Sequence, residues 1–574
     1  MELKDSFKES GKEFDKVRSP EETLQWALKR FEGLGDAVLK DIRRIDKGRL
    51  GIPVYISEYG TKGSLVTGNK KQMGKGVTEA QAKASAVMEL AERFSLFEYV
   101  KNGPFEIAPF VQIREPKFSI EHHLLALHHK GTIKDEERDF LITLQQKWID
   151  GLYATEGYKA KVPFSWMWPI NEYNGSAAGN SLEEAAVQAI CEVVERHVCS
   201  LISYERVKTP TISIDSIKDP DLLNLIEKFK KLGCKVILKD FSLGIGIPTV
   251  GAIAWDPSTY PQRSEIVYTA GTSTSPVRAA IRALTEVAQL AGDFDTEGKY
   301  LESGLPKFKD LEEAEYVLES ENIVELESLP DCSSDNFKQE VEELTMALKK
   351  VNMPVYLSDI THEKLRIPAV YAMIPGNHFR DRTRNIDLPF HLARIVATSD
   401  YLDQIPKFYL LDSLNNIYKD RFDITFYLAH AYEELGDFEE AVAHYKKALA
   451  LNPPKHELAS LYCNFGNCLR QMGKIDEAIE ALEKAKKLSP ELKEIHNILG
   501  TCLYQKGRYM DAIECFEAAI ELDPTSAIDY ANIGSNLRKL GLIPAAIRWY
   551  EMALELDPEL DWAKKHLMEI KGMK

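Results

Sequence analysis

The sequence lacks the patterns that mark disulfide-rich, zinc-binding and membrane-spanning proteins. Its eight cysteines form no Cys-x-x-Cys pair, which supports neither a disulfide framework nor a zinc site. We expect these cysteines to be small buried residues, with a thiol nucleophile as the alternative. No run of about 18 consecutive apolar residues occurs, and the charged stretch from Met1 to Asp15 has no apolar core of a signal peptide. We therefore expect a cytoplasmic protein that does not enter a membrane.

An excess of basic residues and a P-loop are also missing. The formal net charge of -17 argues against general nucleic-acid binding, because phosphate contacts need clustered lysines and arginines, although a local basic pocket stays open. Gly68 and Gly74 are too far apart for a Walker A motif, and Lys75 is followed by Gly76 rather than by Ser or Thr. A nucleotide site in this chain must therefore be built without a P-loop.

The chain of 574 residues is too long for one hydrophobic core, since cores stop growing at about 250 to 300 residues. Short apolar runs such as 235–238 and 249–255 alternate with amphipathic helical stretches before residue 400, which predicts an α/β or α+β domain. We interpret residues 301–350 as a charged insertion that forms solvated helical surface. The predicted boundaries are an N-terminal helical segment at 1–50, the mixed domain at 51–400, a connecting segment at 401–421 and a repeat domain at 422–574.

From about Phe422 the sequence repeats itself. Gly436, Gly473, Gly507 and Gly541 are each followed by an alanine (Ala441, Ala478, Ala512, Ala546) and then by a proline (Pro453, Pro490, Pro524, Pro558), while Gly466, Gly500 and Gly534 mark close packing of the first helix. This pattern resembles the tetratricopeptide repeat. The resemblance implies an all-α solenoid of four helix pairs, with a capping helix over Ala563 to Lys574. Its groove would hold a peptide or protein; the alternatives are dimer formation and packing on the preceding domain.

Three helix starts stand out in the first 400 residues. One helix opens at Thr78 with Gln81 three residues on, and another opens at Ser181 with Glu184 three residues on, which predicts two capping boxes. A third opens at Ser275, followed by a proline in the first helical position. These caps give a common origin from which the three helices can be aligned.

Counting from the caps shows matched polar stripes. Positions seven, eleven and fourteen after the cap hold Ser85, Glu89 and Glu92, then Gln188, Glu192 and Glu195, then Arg282, Glu286 and Gln289. Position four is alanine in each helix (Ala82, Ala185, Ala279), and positions nine and twelve are apolar (Val87, Leu90, Ile190, Val193, Leu284, Val287). Steps of three and four residues place each polar set on one helical face beside a buried face. The stripes are therefore predicted to lie near the interior.

Glutamates three residues apart on one face repel each other and need neutralisation, above all where water is excluded. Arg93 and Arg196, each directly after a second glutamate, contribute to this, and several convergent carboxylates also suit Mg²⁺ that holds phosphate oxygens. The glycine-rich approaches to the first two helices offer backbone N–H groups to an anion. The alternative is a solvated helix face, and for Glu184 alone the capping box is a sufficient explanation.

At these residues the sequence resembles the YcaO family. The resemblance runs from Gly74-Lys75-Gly76 through the three helices and covers roughly residues 50 to 400. It implies a YcaO-type ATP-binding domain that uses ATP and Mg²⁺. The predicted ATP contacts are Lys75, Ser85, Asn180, Glu184, Arg196 and Arg282, and the predicted metal ligands are Glu89, Glu92, Glu192, Glu195, Glu286 and Gln289. We assign no catalytic base.

The resemblance implies an enzyme that phosphorylates a peptide amide oxygen and acts as a homodimer. A substrate Cys, Ser or Thr side chain as nucleophile would give an azoline, whereas external sulfide would give a thioamide. The chain ends Ile570 to Lys574 without the Pro-x-Pro-x-Pro tail of azoline-forming relatives, and Ala177 stands where some relatives have serine. We expect the repeats to recruit a protein substrate or a sulfur-delivering partner. The alternative is an ATP-binding accessory scaffold for ribosomal-protein methylthiolation or another modification system.

Overall fold

The computed structural model describes residues 1–9, 15–35, 38–68, 71–295, 305–320, 322–379 and 386–572. The chain divides into two compact units, Met1–Leu388 and Pro389–Lys574. The boundaries predicted at residues 50, 400 and 421 stay predictions. No helix in the described ranges is both long enough and apolar enough to cross a membrane. All eight cysteines are buried, as predicted.

The N-terminal unit contains three β-sheets among its described residues. The strands are β1 Leu39–Arg44, β2 Val54–Tyr59, β3 Lys71–Lys75, β4 Glu106–Pro109, β5 Gln145–Tyr153, β6 Tyr158–Pro163, β7 Ser176–Ala178, β8 Thr211–Ile212, β9 Lys235–Asp240, β10 Thr249–Trp255, β11 Val267–Thr272, β12 Ile323–Val324, β13 Tyr356–Asp359 and β14 Ala369–Met373. The sheet orders are β1-β2-β3, β11-β10-β9-β8-β12 and β4-β5-β13-β14-β7, with β6 also paired to β5. All pairings are antiparallel except that of β8 with β12.

Eleven described α-helices lie between and beside these strands. They are α1 Pro20–Glu32, α2 Thr61–Thr67, α3 Glu79–Asn102, α4 Ile120–Ala126, α5 Asp135–Thr143, α6 Phe164–Asn171, α7 Leu182–Glu205, α8 Pro220–Lys231, α9 Pro276–Ala291, α10 Glu315–Leu318 and α11 Phe337–Lys350. The three helices predicted from their caps are α3, α7 and α9, and each directly follows a strand that ends a different sheet, namely β3, β7 and β11. The mixed α/β class is confirmed.

Small residues bring two of these helices close to their strands. A Cβ built on Gly74 of β3 would lie 2.1 Å from the backbone nitrogen of Ala86, and one on Gly271 of β11 would lie 2.4 Å from the carbonyl oxygen of Ala279. The alanines at position four and the apolar residues at positions nine and twelve are buried in all three helices. The predicted buried faces are therefore confirmed, and they leave the polar stripes on the adjoining face.

The predicted solvated surface at residues 301–350 is wrong for α11. Phe337, Val341, Leu344 and Leu348 are buried, and so is Glu340. Their spacing of three to four residues gives α11 an apolar face that packs against α7. Residues 301–304 and 321 of this predicted segment lie outside the described residues.

The C-terminal unit is an array of helices. They are α12 Leu388–Thr398, α13 Gln404–Ile417, α14 Phe422–Glu434, α15 Phe438–Ala450, α16 Lys455–Gln471, α17 Ile475–Leu488, α18 Lys493–Gln505, α19 Tyr509–Leu522, α20 Ala527–Lys539, α21 Ile543–Leu556 and α22 Asp561–Lys571. Helices α14 to α21 form four antiparallel pairs, and the turn glycine of each pair has a positive φ. Gly500 packs against the ring of Phe516, and Gly466 and Gly534 make the equivalent contacts with Leu482 and Tyr550, as predicted.

Candidate functional site

The polar stripes of α3, α7 and α9 line one cavity of about 450 Å³. All the predicted ATP contacts lie on its wall: Lys75, Ser85, Asn180, Glu184, Arg196 and Arg282. The predicted metal ligands lie there too: Glu89, Glu92, Glu192, Glu195, Glu286 and Gln289. The polar positions aligned from the caps therefore line the same cavity. The role of each side chain stays a prediction.

The carboxylates of α3 are held in a buried, repulsive environment. Burial raises the pKa of Glu89, and burial with repulsion from Glu192 and Glu89 raises the pKa of Glu92 to about 8 against the attraction of Arg93. The hydroxyl of Ser176 donates a hydrogen bond to Glu92 over 2.6 Å. Arg93 Nε lies 3.4 Å from Glu92 Oε1. These carboxylates are therefore costly to ionise in the ligand-free protein.

The carboxylates of α7 are held by backbone donors from two strand ends. The N–H of Gly175 donates to Glu192 over 3.2 Å, and the N–H of Thr272 donates to Glu195 over 2.9 Å. Arg196 lies 3.9 Å from Glu192. The two glutamates are thus fixed in direction by the main chain of β11 and of the turn before β7.

Helix α9 places the acidic Glu286 and the basic Arg282 on the wall of the cavity. Glu286 forms an ion pair with Lys75, and Arg282 donates a hydrogen bond from Nη1 to Gln188 over 2.9 Å. Burial, together with repulsion from Arg282, lowers the pKa of Lys75 to about 7. Lys75 and Arg282 therefore place two cationic groups next to the carboxylates.

The balance of charges on the wall fits a nucleotide with metal ions better than cations alone. Seven lysines and arginines and eight aspartates and glutamates line the cavity. Divalent cations alone would make it strongly positive, whereas a polyphosphate with its magnesium ions nearly preserves the balance. Within the described ranges, the buried Nε atoms of Arg196 and Arg282 have no hydrogen-bond partner. They are donors available to an anion.

The carboxylates are spread along the wall rather than gathered into one cluster. In the part of the chain that the structure describes, no group of three or more His, Cys, Asp or Glu side chains is close enough to hold a metal ion. Four of the carboxylates instead contact a cation or a main-chain N–H, namely Glu92, Glu192, Glu195 and Glu286. Oxygen donors of this kind are nevertheless the ligands that Mg²⁺ prefers.

The prediction that Ser181 and Glu184 form a capping box is wrong. Ser181 does accept a hydrogen bond from the N–H of Glu184 over 3.1 Å. The Glu184 carboxylate does not return to the N-cap; it accepts from Asn180 Nδ2 over 3.2 Å and from the N–H of Val17 over 3.0 Å. By contrast, Thr78 and Gln81 form the predicted capping box at α3. Capping therefore does not explain Glu184.

Sequence reasoning missed part of the wall. Lys16 and Arg18 lie before α1, Arg278 lies in the first turn of α9, and Phe337 and Glu340 lie on α11. These residues belong to no repeated pattern and are far apart in sequence. The only available signal was Glu340 itself, a charged residue on the apolar face of a helix.

Comparison with known proteins identifies both parts of the chain. A family model described as YcaO cyclodehydratase, ATP- and Mg²⁺-binding, matches residues 73–378, which is more than half of the chain. Two tetratricopeptide-repeat models match residues 420–491 and 494–526. The predicted repeats are thus confirmed.

Three similar proteins show how far the likeness extends. An uncharacterized protein of Methanothermobacter thermautotrophicus is 28% identical over 62% of this chain and 93% of its own length. The Escherichia coli K12 protein called ribosomal protein S12 methylthiotransferase accessory factor YcaO is 27% identical over 53% of this chain, which spans only 56% of that relative. A solved heterocyclase in complex with substrate and cofactor has a TM-score of 0.53 and 21% identity, over 66% of this chain and 54% of that one. At that identity it shows the fold alone.

Proposed function

The chain belongs to the YcaO family, an ATP- and Mg²⁺-binding family, and on this premise we propose that it uses ATP to activate a backbone amide of a peptide or protein. The observation that carries the proposal is the convergence of three helices on one cavity, with carboxylates from each and with Lys75, Arg196 and Arg282 between them. This arrangement suits phosphoryl transfer, which needs positioning and charge neutralisation more than a protein nucleophile.

The proposed site has two kinds of side chain. Glu89, Glu92, Glu192, Glu195, Glu286 and Gln289 would hold Mg²⁺, which when bound neutralises charge on the phosphates. Lys75, Arg196 and Arg282 would bind phosphate oxygens, and Ser85, Asn180 and Glu184 would contact the rest of the nucleotide. The unpartnered Nε atoms of the two arginines support this assignment.

Transfer of the γ-phosphoryl group to the amide oxygen would release ADP and turn the oxygen into a leaving group. A nucleophile would then add to the amide carbon, and phosphate would leave. The nucleophile would lose its proton, and azoline formation would also release the amide N–H proton; solvent and the departing phosphate would accept them. A Cys, Ser or Thr side chain of the substrate would give an azoline, and sulfide would give a thioamide. We propose no protein base. The lysine and arginines on the wall would instead bind and orient the negatively charged phosphate oxygens.

The repeats would recruit the substrate or a sulfur-delivering protein, and the proposed assembly is a cytoplasmic homodimer. A second candidate is an accessory scaffold in which ATP binding is regulatory. The E. coli relative is called an accessory factor, which favours this second candidate. ATP turnover stimulated by a captured partner would support the enzyme, whereas binding without stimulated turnover would support the scaffold.

The nucleotide site is tested by calorimetric titration with Mg²⁺ and AMPPCP, an ATP analogue that cannot be hydrolysed. We expect Glu192→Ala to weaken Mg²⁺-dependent binding by at least about tenfold, because it removes a ligand and leaves neighbouring charges unbalanced. Glu205→Ala is the matched control, since Glu205 is an exposed glutamate on the same helix. Equal binding by both variants would contradict the proposed site.

The product is tested by co-purification of the chain with its partner, followed by mass spectrometry of the partner. An azoline would appear as the loss of one water, and a thioamide as the exchange of oxygen for sulfur. The Glu192→Ala variant should capture the same partner without any mass change. A mass change that persists with this variant would assign the chemistry to another protein.

A further inference from the structure

The residues before α1 lie along the N-terminal ends of α7 and α11. The N–H of Lys4 donates to Glu183 over 2.8 Å, and the hydroxyls of Ser6 and Ser181 are 2.8 Å apart. The N–H of Ser6 also donates to Asn336, the N-cap of α11, over 3.1 Å. This stretch is thus anchored to two helices that contribute to the cavity.

Residues 15–18 then reach two side chains of the proposed nucleotide site. The N–H of Val17 donates to Glu184 over 3.0 Å, and Lys16 Nζ lies 3.4 Å from the other oxygen of that carboxylate. Arg18 Nη1 donates to the side-chain oxygen of Asn180 over 3.1 Å. Asp15, Lys16 and Arg18 themselves line the cavity. The segment therefore contacts Asn180 and Glu184 directly.

Arg18 is oriented by a second contact. Its guanidinium lies over the ring of Trp26 on α1, 4.6 Å from the centroid, in the arrangement of a cation–π contact. Thr23, one turn before Trp26, donates from its hydroxyl to Asn180 over 3.1 Å. The oxygen of Asn180 thus accepts two hydrogen bonds from the N-terminal region, while its amide nitrogen donates to Glu184.

These contacts fix the orientation of Asn180. Its amide has a single position in which the oxygen meets Arg18 and Thr23 and the nitrogen meets the carboxylate. Loss of Arg18 would leave the buried Asn180 oxygen with Thr23 as its remaining donor. The Asn180 amide, which donates to Glu184, would then be held less firmly. Arg18 therefore orients Asn180 directly, and Glu184 through the Asn180 amide, without needing to touch the nucleotide itself.

We propose that residues 15–18 form one wall of the nucleotide site and that Arg18 is a positioning residue, which acts on the nucleotide through Asn180 and Glu184. This inference rests on the proposed function.

The test is titration of Mg²⁺ with AMPPCP into the full chain, together with steady-state ATP hydrolysis. We expect Arg18→Ala to raise the Kd about tenfold, the effect of one hydrogen bond to a charged group, and to raise the KM for ATP while kcat changes by less than about twofold. Arg18→Lys should recover only part of the affinity, because lysine lacks the planar group that stacks on Trp26. The control is Lys29→Ala, which removes an exposed positive charge from α1 and should bind normally.

Thr23→Val is a second variant that keeps Arg18 and removes the other donor to Asn180. We expect a smaller loss of affinity, and a normal unfolding midpoint shows that the fold is intact. Normal binding by Arg18→Ala overturns the inference. If Arg18→Ala fails to fold, normal binding by both Arg18→Lys and Thr23→Val overturns it. In either case, loss of binding in Glu192→Ala leaves the proposed function standing. Absence of Mg²⁺-dependent binding in the unaltered chain overturns both.

Discussion

In the N-terminal unit the glycines of two strands lie against helix backbone, whereas in the C-terminal unit the glycines of the helices lie against apolar side chains. Gly74 faces the backbone of Ala86, and Gly271 faces that of Ala279. In the repeats, Gly466, Gly500 and Gly534 face the side chains of Leu482, Phe516 and Tyr550. The same residue type thus allows close approach in both units, but to different partners.

The close approach leads to a polar cavity in the N-terminal unit and to an apolar core in the repeats. In the N-terminal unit it brings α3 and α9 against their strands, and their polar stripes line a cavity that contains carboxylates with raised pKa values. In the repeats it closes an apolar core that includes Phe516. A chain keeps buried, mutually repulsive carboxylates where they serve a site, and the repeats show that helix packing alone does not require them.

The largest effect is expected from replacing glycine in the N-terminal unit. Gly74→Ala would place a Cβ 2.1 Å from backbone, and we expect a loss of about 3 kcal/mol or more in the free energy of unfolding, because backbone cannot move aside. Gly534→Ala, at a helix glycine of the repeats, would place its Cβ 3.1 Å from the ring of Tyr550, a side chain that can shift, so a loss of about 1 kcal/mol is expected. Urea unfolding with hydrogen exchange read by mass spectrometry would assign each loss to its unit. Equal losses would contradict the comparison.

Periodicity allowed much of this fold and site to be predicted. The repeats of the C-terminal unit and the three capped helices of the N-terminal unit both recur at fixed spacings, and local spacing determines which face of a helix a residue occupies. For this reason the buried alanines and the polar stripes were predicted by counting from the caps. Which residue of the stripe contacts which ion is not a matter of spacing and stays a prediction.

The parts that were missed depend on contacts between distant residues. Glu184 satisfies the sequence pattern of a capping box, yet its carboxylate bonds to Asn180 and to Val17, 167 residues away. Glu340 binds Lys8 over 2.5 Å across 332 residues. Such pairs leave no local pattern, so they could not be predicted from one sequence.

An intermediate effect of opposite sign is expected at Glu92. Glu92→Gln keeps the acceptor for Ser176 and removes a carboxyl whose pKa is raised by burial and repulsion, so folding no longer has to bind a proton there or bury a charge. We expect the ligand-free N-terminal unit to gain about 1 kcal/mol in the free energy of unfolding, as is common where a strained site is relaxed, and to lose Mg²⁺-dependent nucleotide binding. Urea unfolding without Mg²⁺ measures the gain, and Glu205→Gln, on the exposed end of α7, should show none. A less stable Glu92→Gln variant would mean that the carboxylate is well compensated.

The smallest effect is expected in the repeats, where an exposed ion pair responds to acid. A hydrogen bond from Lys493 over 2.8 Å, with further donors from Thr525, lowers the pKa of Asp523 from 3.8 to about 2. Because the folded state binds this proton less readily than the unfolded state, the contribution of Asp523 is complete above about pH 4 and is lost as the pH falls towards about 2. Both side chains are partly exposed, so we expect well under 1 kcal/mol. Asp523→Asn should flatten this part of the acid unfolding curve.

Asp557→Asn is the matched control, since Asp557 occupies the same helix C-cap one repeat later. It accepts a hydrogen bond from the N–H of Glu559 and has no ion pair among the described residues. An equal change in the two variants would assign the acid response to the cap rather than to the ion pair.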